Sequence, residues 1–149
     1  MISVVRASER HCDYVAAHMR PEDAAEAAAF GLTPLNALRD SLVGAAVAET
    51  ALVHSVPCAM WGANPITTLT GDALLWMLGT AEVPRHKRAL LRMSREFVDR
   101  VAAKYDPLYC VVNADYASSI RWVKWLGFRE ISRPRAGNVP VITFERRRA

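Results

Sequence analysis

The sequence predicts a single α/β domain, residues 1–149, with a mixed central sheet flanked by helices. Three observations lead there. Short β-rich apolar runs alternate with helical patterns along the whole chain. Ala73 to Leu78 is nearly all apolar, as in a central strand buried on both faces. Ser119 to Phe128 is a short amphipathic helix running into Leu126-Gly127-Phe128. In it Ile120, Val123 and Leu126 recur at helical spacing, and Gly127 stands where a helix stops on a left-handed residue.

The elements follow in order. Ile2 to Arg6 is a β-rich run, and Ser8 caps a helix over Glu9 to Met19. Pro21 suits the first turn of a second helix, where Glu22 and Asp23 place negative charge that the helix dipole favours. Gly31 ends that Ala-rich helix. Thr33-Pro34 opens a third, with Leu35, Leu38 and Leu42 as its apolar stripe. Ala46 to His54 and Pro57 to Asn64 read as strands turned near Ser55 to Pro57, and Gly79-Thr80 ends the apolar strand after them. Pro84 opens the longest helix, to about Tyr105, with Leu90, Phe97, Val101 and Tyr105 on its core face. Arg88, Arg92 and Arg95 share a wet face, and Glu96 with Arg100 is an i,i+4 pair. Asp106-Pro107 breaks the helix. Leu108 to Val112 is a buried strand. Beyond the Ser119 helix, a hairpin pairs Arg129–Arg133 with Val139–Phe144, turned by Pro134, Gly137 and Asn138.

Composition bounds the function. A 52% apolar and 23% charged chain is globular, and no apolar run has membrane-spanning length. Met1 to Arg6 lacks the layout of a signal peptide. Cys12, Cys58 and Cys110 show neither metal nor disulfide spacing, which points to a reducing, cytoplasmic setting and buried thiols. The net charge of +4 favours anionic partners.

Strand, amphipathic helix, Leu126-Gly127-Phe128 and strand resemble the end of the GNAT (Gcn5-related N-acetyltransferase) fold, and the element order resembles that fold throughout. The resemblance implies acetyl-coenzyme A as cofactor, held in a gap between the strands near Ala73–Thr80 and Leu108–Asn113. Its binding residues would be Leu78, Thr80, Arg85, His86, Lys87, Arg88, Ala89, Asn113 and Ser119. Four segments also resemble the phage T7-type internal virion protein A family: Met19 to Asp23, Trp76 to Thr80, Arg92 to Arg95, and Ser119 to Phe128. That resemblance implies a phage or prophage protein in host cytoplasm or virion, with other virion proteins as partners.

The site positions depart from the GNAT pattern. Arg85-His86-Lys87-Arg88-Ala89-Leu90 stands where the family has a glycine-containing phosphate loop. Arg85 matches, whereas Arg88 and Leu90 replace small residues and are expected to crowd the phosphate path. Basic residues at a helix start oppose the dipole; they read as an anion site or acidic-partner surface, or as a solvated charge run. Val123 occupies the usual position of the tyrosine acid. Tyr116 is the nearby phenol, with packing as its other reading, and Asn113 lies beside it. Glu82 is the first candidate for the general base, with Glu49 and Asp72 behind it, all equally readable as surface carboxylates. His54 and His86 titrate near neutrality. His11 and His18 share a helix face, without a metal constellation. Trp61, Trp76, Trp122 and Trp125 read as packing anchors. Arg146 to Arg148 and the Arg88 stripe supply only a weak nucleic-acid reading. Two classes remain: an acyl-coenzyme A-dependent N-acetyltransferase, and a non-catalytic virion or morphogenesis protein on the same scaffold.

Overall fold

In the computed structural model, which describes residues 1–148, caps and turns set the element boundaries. The order is β1 (Ile2–Arg6), α1 (Glu9–Ala17), α2 (Pro21–Ala29), α3 (Pro34–Val43), β2 (Val47–Val53), β3 (Val56–Pro65) and β4 (Ala73–Gly79). A 3₁₀ turn (Val83–His86) leads into α4 (Lys87–Ala102), then β5 (Leu108–Asn113), α5 (Ala117–Trp125), β6 (Arg129–Ser132), β7 (Arg135–Ala136) and β8 (Val139–Arg146). The Thr33 hydroxyl accepts the Asn36 N–H at 3.2 Å, so α3 starts at Pro34. His54 and Ser55 both have positive φ, which makes the tight two-residue turn of the β2–β3 hairpin.

The strands lie in the order β1-β2-β3-β4-β5-β8-β6, and β7 pairs with β8. β1 to β4 form an antiparallel meander. The α4 crossover then brings β5 beside β4 in parallel. β8 returns between β5 and β6, antiparallel to both.

β3 shows the two-sided sheet most clearly. Ala59, Trp61 and Ala63 face a core built with α4, α5 and β8, including Phe97, Trp122 and Phe144. Met60 faces the opposite layer, with Cys12, Val15 and Leu38. Alternation along a strand requires this division.

Four sequence expectations are corrected. β4 is central in sheet order but not buried on both faces: Leu74 is exposed, and Trp76, Met77 and Leu78 are half-buried. The cause is the short register with β5, limited to Ala73↔Leu108 and Leu74↔Tyr109, beyond which the strands part. The long helix does not start at Pro84, because a 3₁₀ turn intervenes. The final hairpin contains a smaller one, Arg135 and Ala136 opposite Pro140 and Val139. Arg100 also forks onto Glu49 at 3.0 Å rather than pairing with Glu96.

Leu90 does not face the helix mouth, as the phosphate-loop comparison implied. It is fully buried in the α4-side core, because helical periodicity aligns it with Phe97 and Val101. Leu90→Ala is therefore expected to cost about 2–5 kcal/mol in urea unfolding, the cost of a core cavity. A loss under about 1 kcal/mol would mean that Leu90 is not a core residue.

Candidate functional site

The parting of β4 and β5 opens a groove of about 120 Å³ through the sheet. Its α4–α5 side carries Phe97, Trp122 and Val123, and its other side carries Trp76, Asp23 and Glu26. The Ala73 N–H donates to Pro107 O at 3.2 Å, and the Gly79 N–H donates to Asp23 Oδ2 at 2.8 Å. The odd-numbered residues of β4 thus turn their main-chain groups away from β3, and alternation places the Met77 amide on the open gap.

The α2 wall is built around a buried acid. Pro21 starts α2, and the helix period brings Asp23, Glu26 and Ala27 to its inner side. Asp23 accepts Arg20 Nε–H at 2.6 Å and Nη2–H at 3.3 Å. The Arg20 N–H in turn donates to Gly79 O at 2.9 Å. Burial pushes the Asp23 carboxyl up, against the pull of Arg20 and the Gly79 N–H.

Glu26 sits one turn on, half-buried, and among the described residues its carboxyl has no hydrogen bond or ion pair. Burial, reinforced by Asp23, raises its pKa from the usual 4.5 to about 7. Across the groove, burial and then Glu26 push Cys110 up to about 12. Burial thus favours the neutral thiol of Cys110. It moves the Glu26 carboxyl toward neutrality in the same way.

The floor is held from beneath. Trp76 lies over Gly62, where an added Cβ would meet its ring at 2.6 Å. Its Nε1–H donates to Asn64 Oδ1 at 2.7 Å, and Asn64 Nδ2–H donates to Ser41 O at 2.9 Å. On the other face, Trp122 Nε1–H donates to Ser94 Oγ at 3.0 Å. At the end of β5, Asn113 Oδ1 accepts the Asp115 N–H at 2.9 Å, and Asn113 O accepts the Tyr116 N–H at 3.2 Å. This turn places Tyr116 at the N-cap of α5, lining the groove.

Of the residues singled out from sequence, Tyr116, Asn113 and Ser119 line the groove. Glu82 does not. It is exposed and faces Arg85 at 3.5 Å. Glu49 accepts Trp61 Nε1–H at 3.1 Å and both Arg100 nitrogens, so it is a packing tie. Asp72 accepts the Thr70 hydroxyl in the β3–β4 loop. Leu78 packs toward Met60 and Leu38. The buried Thr80 hydroxyl donates to Cys58 O at 3.0 Å. Arg85, His86, Lys87, Arg88 and Ala89 follow the open end of β4 outside the groove lining, with Arg85, Lys87 and Arg88 exposed. His11 Nδ1 accepts the Ser8 N–H at 3.1 Å and meets Thr50 Oγ1 at 2.8 Å. His18 stacks on Tyr14, and His54 lies in a turn. Among the described residues no group of side chains is placed to hold a metal ion, and no helix is long and apolar enough to cross a membrane. Sequence reasoning missed Glu26. The available signal was an acid at helical spacing from Asp23 with no basic partner along the same helix.

No family model matches the sequence, and no curated protein matches it. Solved structures do match its architecture. The ribosomal-protein-S18-alanine N-acetyltransferase from Escherichia coli superposes with a TM-score of 0.72 over 99% of this chain and 94% of its own, at 14% identity. The ribosomal-protein-alanine N-acetyltransferase from Brucella melitensis gives 0.73 over 98% and 99%, at 16%. A GNAT superfamily phosphinothricin acetyltransferase from Sinorhizobium meliloti, in complex with AcCoA, gives 0.74 over 98% and 88%, at 17%. The chain has the GNAT fold. At these identities the likeness is one of architecture.

Two measurements check the site's construction. From its ordinary value near 4.5 up to about 7, folded Glu26 keeps a proton that the unfolded chain releases. Stability on this account falls as pH rises through that window. Glu26→Gln is thus expected to raise Tm at pH 8, by up to about 3 kcal/mol of stability, and to change it little at pH 4. Equal shifts at both pH values would show that Glu26 is not the perturbed group. Gly62→Ala should displace the Trp76 ring and cost about 1–3 kcal/mol in urea unfolding. A neutral outcome would mean that the ring does not rest on Gly62.

Proposed function

We propose that this chain is an acyl-coenzyme A-dependent N-acyltransferase, with acetyl-coenzyme A as the acyl donor. The single observation that carries the reading is the gap between β4 and β5, which leaves an open main-chain edge at Met77 in a groove that Glu26 and Tyr116 also line. An amide-bearing arm fits such an edge, because it completes a sheet that the protein leaves unpaired. The start of α4, with Arg85, Lys87 and Arg88 in solvent, suits the phosphates. Leu90 is packed away from that path, so Arg88 is left as the bulky replacement in the loop.

When bound, the donor supplies a thioester carbonyl for an amine to attack. Glu26 takes one proton from the ammonium, which frees the nitrogen lone pair to bond to that carbonyl, and the nitrogen's second proton replaces the one that Tyr116 gives up. Tyr116 gives its proton to the sulfur that leaves, in the role for which the usual position holds Val123. Asn113 fixes the turn that carries Tyr116. Groove walls of Trp76, Trp122 and Val123 restrict water.

The second reading is a non-catalytic virion or morphogenesis protein on this scaffold. On its side stand the phage-like sequence segments, the loop without glycines and Val123 at the acid position. Calorimetric titration with acetyl-coenzyme A, followed by assay of coenzyme A release with primary amines, separates the two. Saturable binding and turnover are expected. Glu26→Gln and Tyr116→Phe should each lower kcat/KM by about 10²–10⁴-fold. The activity limb assigned to Glu26 should rise with pH through about 7 in the parent and vanish in Glu26→Gln. Absence of donor binding would favour the structural reading.

A further inference from the structure

The charge of the groove's α2 wall and the volume of the groove both bear on which acceptor it suits. Charges there come from Arg20, Glu22, Asp23 and Glu26. Arg20 and Asp23 cancel each other at 2.6 Å, and both are largely buried. The Arg20 guanidinium is thereby committed, since Asp23 takes two of its N–H groups. No cation is left on this wall to receive a carboxylate, whereas Glu26 has no partner. The same groove is lined by the indole of Trp76, held by Asn64 and backed by Gly62. An aromatic face beside a carboxylate suits an ammonium with an apolar body.

Volume points the same way. A groove of about 120 Å³ is comparable to a cavity that takes one benzene ring. Among the described residues Glu22 and Glu26 are this wall's two carboxylates without an ion pair, and Glu22 lies in the first turn of α2, where the helix dipole already favours its charge, so a polycation carries more positive charge than the wall matches. Wide, multiply charged amines are disfavoured by size and by unmatched charge, and amino acids by the carboxylate they would bring against Glu22 and Glu26.

We propose that the acceptor is a slender primary amine with one positive charge and an uncharged aromatic or aliphatic body, its ammonium on Glu26 and its body against Trp76. The inference rests on the acyltransferase reading for its chemistry but concerns amine binding, which is measurable without turnover.

The test is equilibrium binding to the full chain, by calorimetry, with three probes. 2-Phenylethylamine has the ammonium and one ring, phenylalanine adds a carboxylate, and spermidine adds charges. Each is titrated with and without saturating acetyl-coenzyme A. The expected result is saturable binding of 2-phenylethylamine, at least tenfold weaker binding of phenylalanine and spermidine, and a tenfold or greater loss for 2-phenylethylamine in Glu26→Gln. Trp76→Leu should weaken 2-phenylethylamine as well, while far-ultraviolet circular dichroism reports that both variants fold. Spermidine or phenylalanine binding as tightly as 2-phenylethylamine would overturn the proposal. So would no saturable binding of 2-phenylethylamine, or unchanged binding in Glu26→Gln. Amine binding in this order without acyl transfer would uphold the acceptor site and remove the acyltransferase reading. Acyl transfer to spermidine in preference would do the reverse.

Discussion

Everything at the site follows from one constraint, that β4 and β5 stay paired for only two residues. Each strand is fully satisfied on its other side: β4 matches β3 over seven positions, and β5 matches β8 over six. A net backbone hydrogen bond contributes about 1 kcal/mol, so closing the gap would gain several. Two things oppose closure. The wedge is filled from the α4–α5 side by Trp122, Leu126 and Phe128, all buried. At the far end, the Gly79 N–H and C=O are already taken by Asp23 and the Arg20 N–H. The charge-assisted bond to Asp23 is worth about twice a neutral one. Met77, between these two restraints, is left with its amide on the open edge.

The same restraint explains the acid beside it. Asp23 holds the end of β4 and needs Arg20 as a buried partner, since an unpaired carboxylate there would cost several kcal/mol. Arg20 is spent in doing so. Glu26 then sees a nearly neutral pair and a dry wall, and burial outweighs the Asp23 charge as the cause of its shift. A half-buried carboxyl without a partner is destabilising at neutral pH, and such groups concentrate at sites of proton transfer. Cys110 is raised by the same burial and the same neighbour.

The order of elements was legible because caps and turns are local. Thr33-Pro34 and Gly127 need no knowledge of the rest of the chain. The groove was legible only through resemblance, because periodicity cannot say whether adjacent strands pair or part. Leu90 shows how position-matching misleads, since its helix register turns it into the core whatever the loop comparison suggests. From sequence Glu49 reads as a candidate base because its partners, Trp61 and Arg100, lie far along the chain. Glu82 lies outside the groove lining and faces Arg85, three residues on, in solvent. Glu26 was hidden because Glu22 and Asp23 already had a local explanation in the helix dipole. Only the packing of α2 over β4 makes their neighbour a groove residue.

Charge distribution carries the argument one step further. The sequence has two basic concentrations, the C-terminal arginines and the start of α4. Arg146 reaches Asp99 at 3.0 Å, Arg147 reaches Glu145 at 2.9 Å, and Arg148 donates to Ala102 O. These ties clamp the end of β8 to α4 and to its own strand. Lys87, Arg88 and Arg92 enter no ion pair among the described residues and remain exposed. Each exposed charge contributes little alone and is screened beyond about 10 Å. They follow the open end of β4 in sequence, while the charged residues that line the groove are Arg20, Glu22, Asp23 and Glu26. On the proposed reading, an anionic donor tail would favour the first cluster and a cationic acceptor head the second, which is the polarity that the proposed reaction requires.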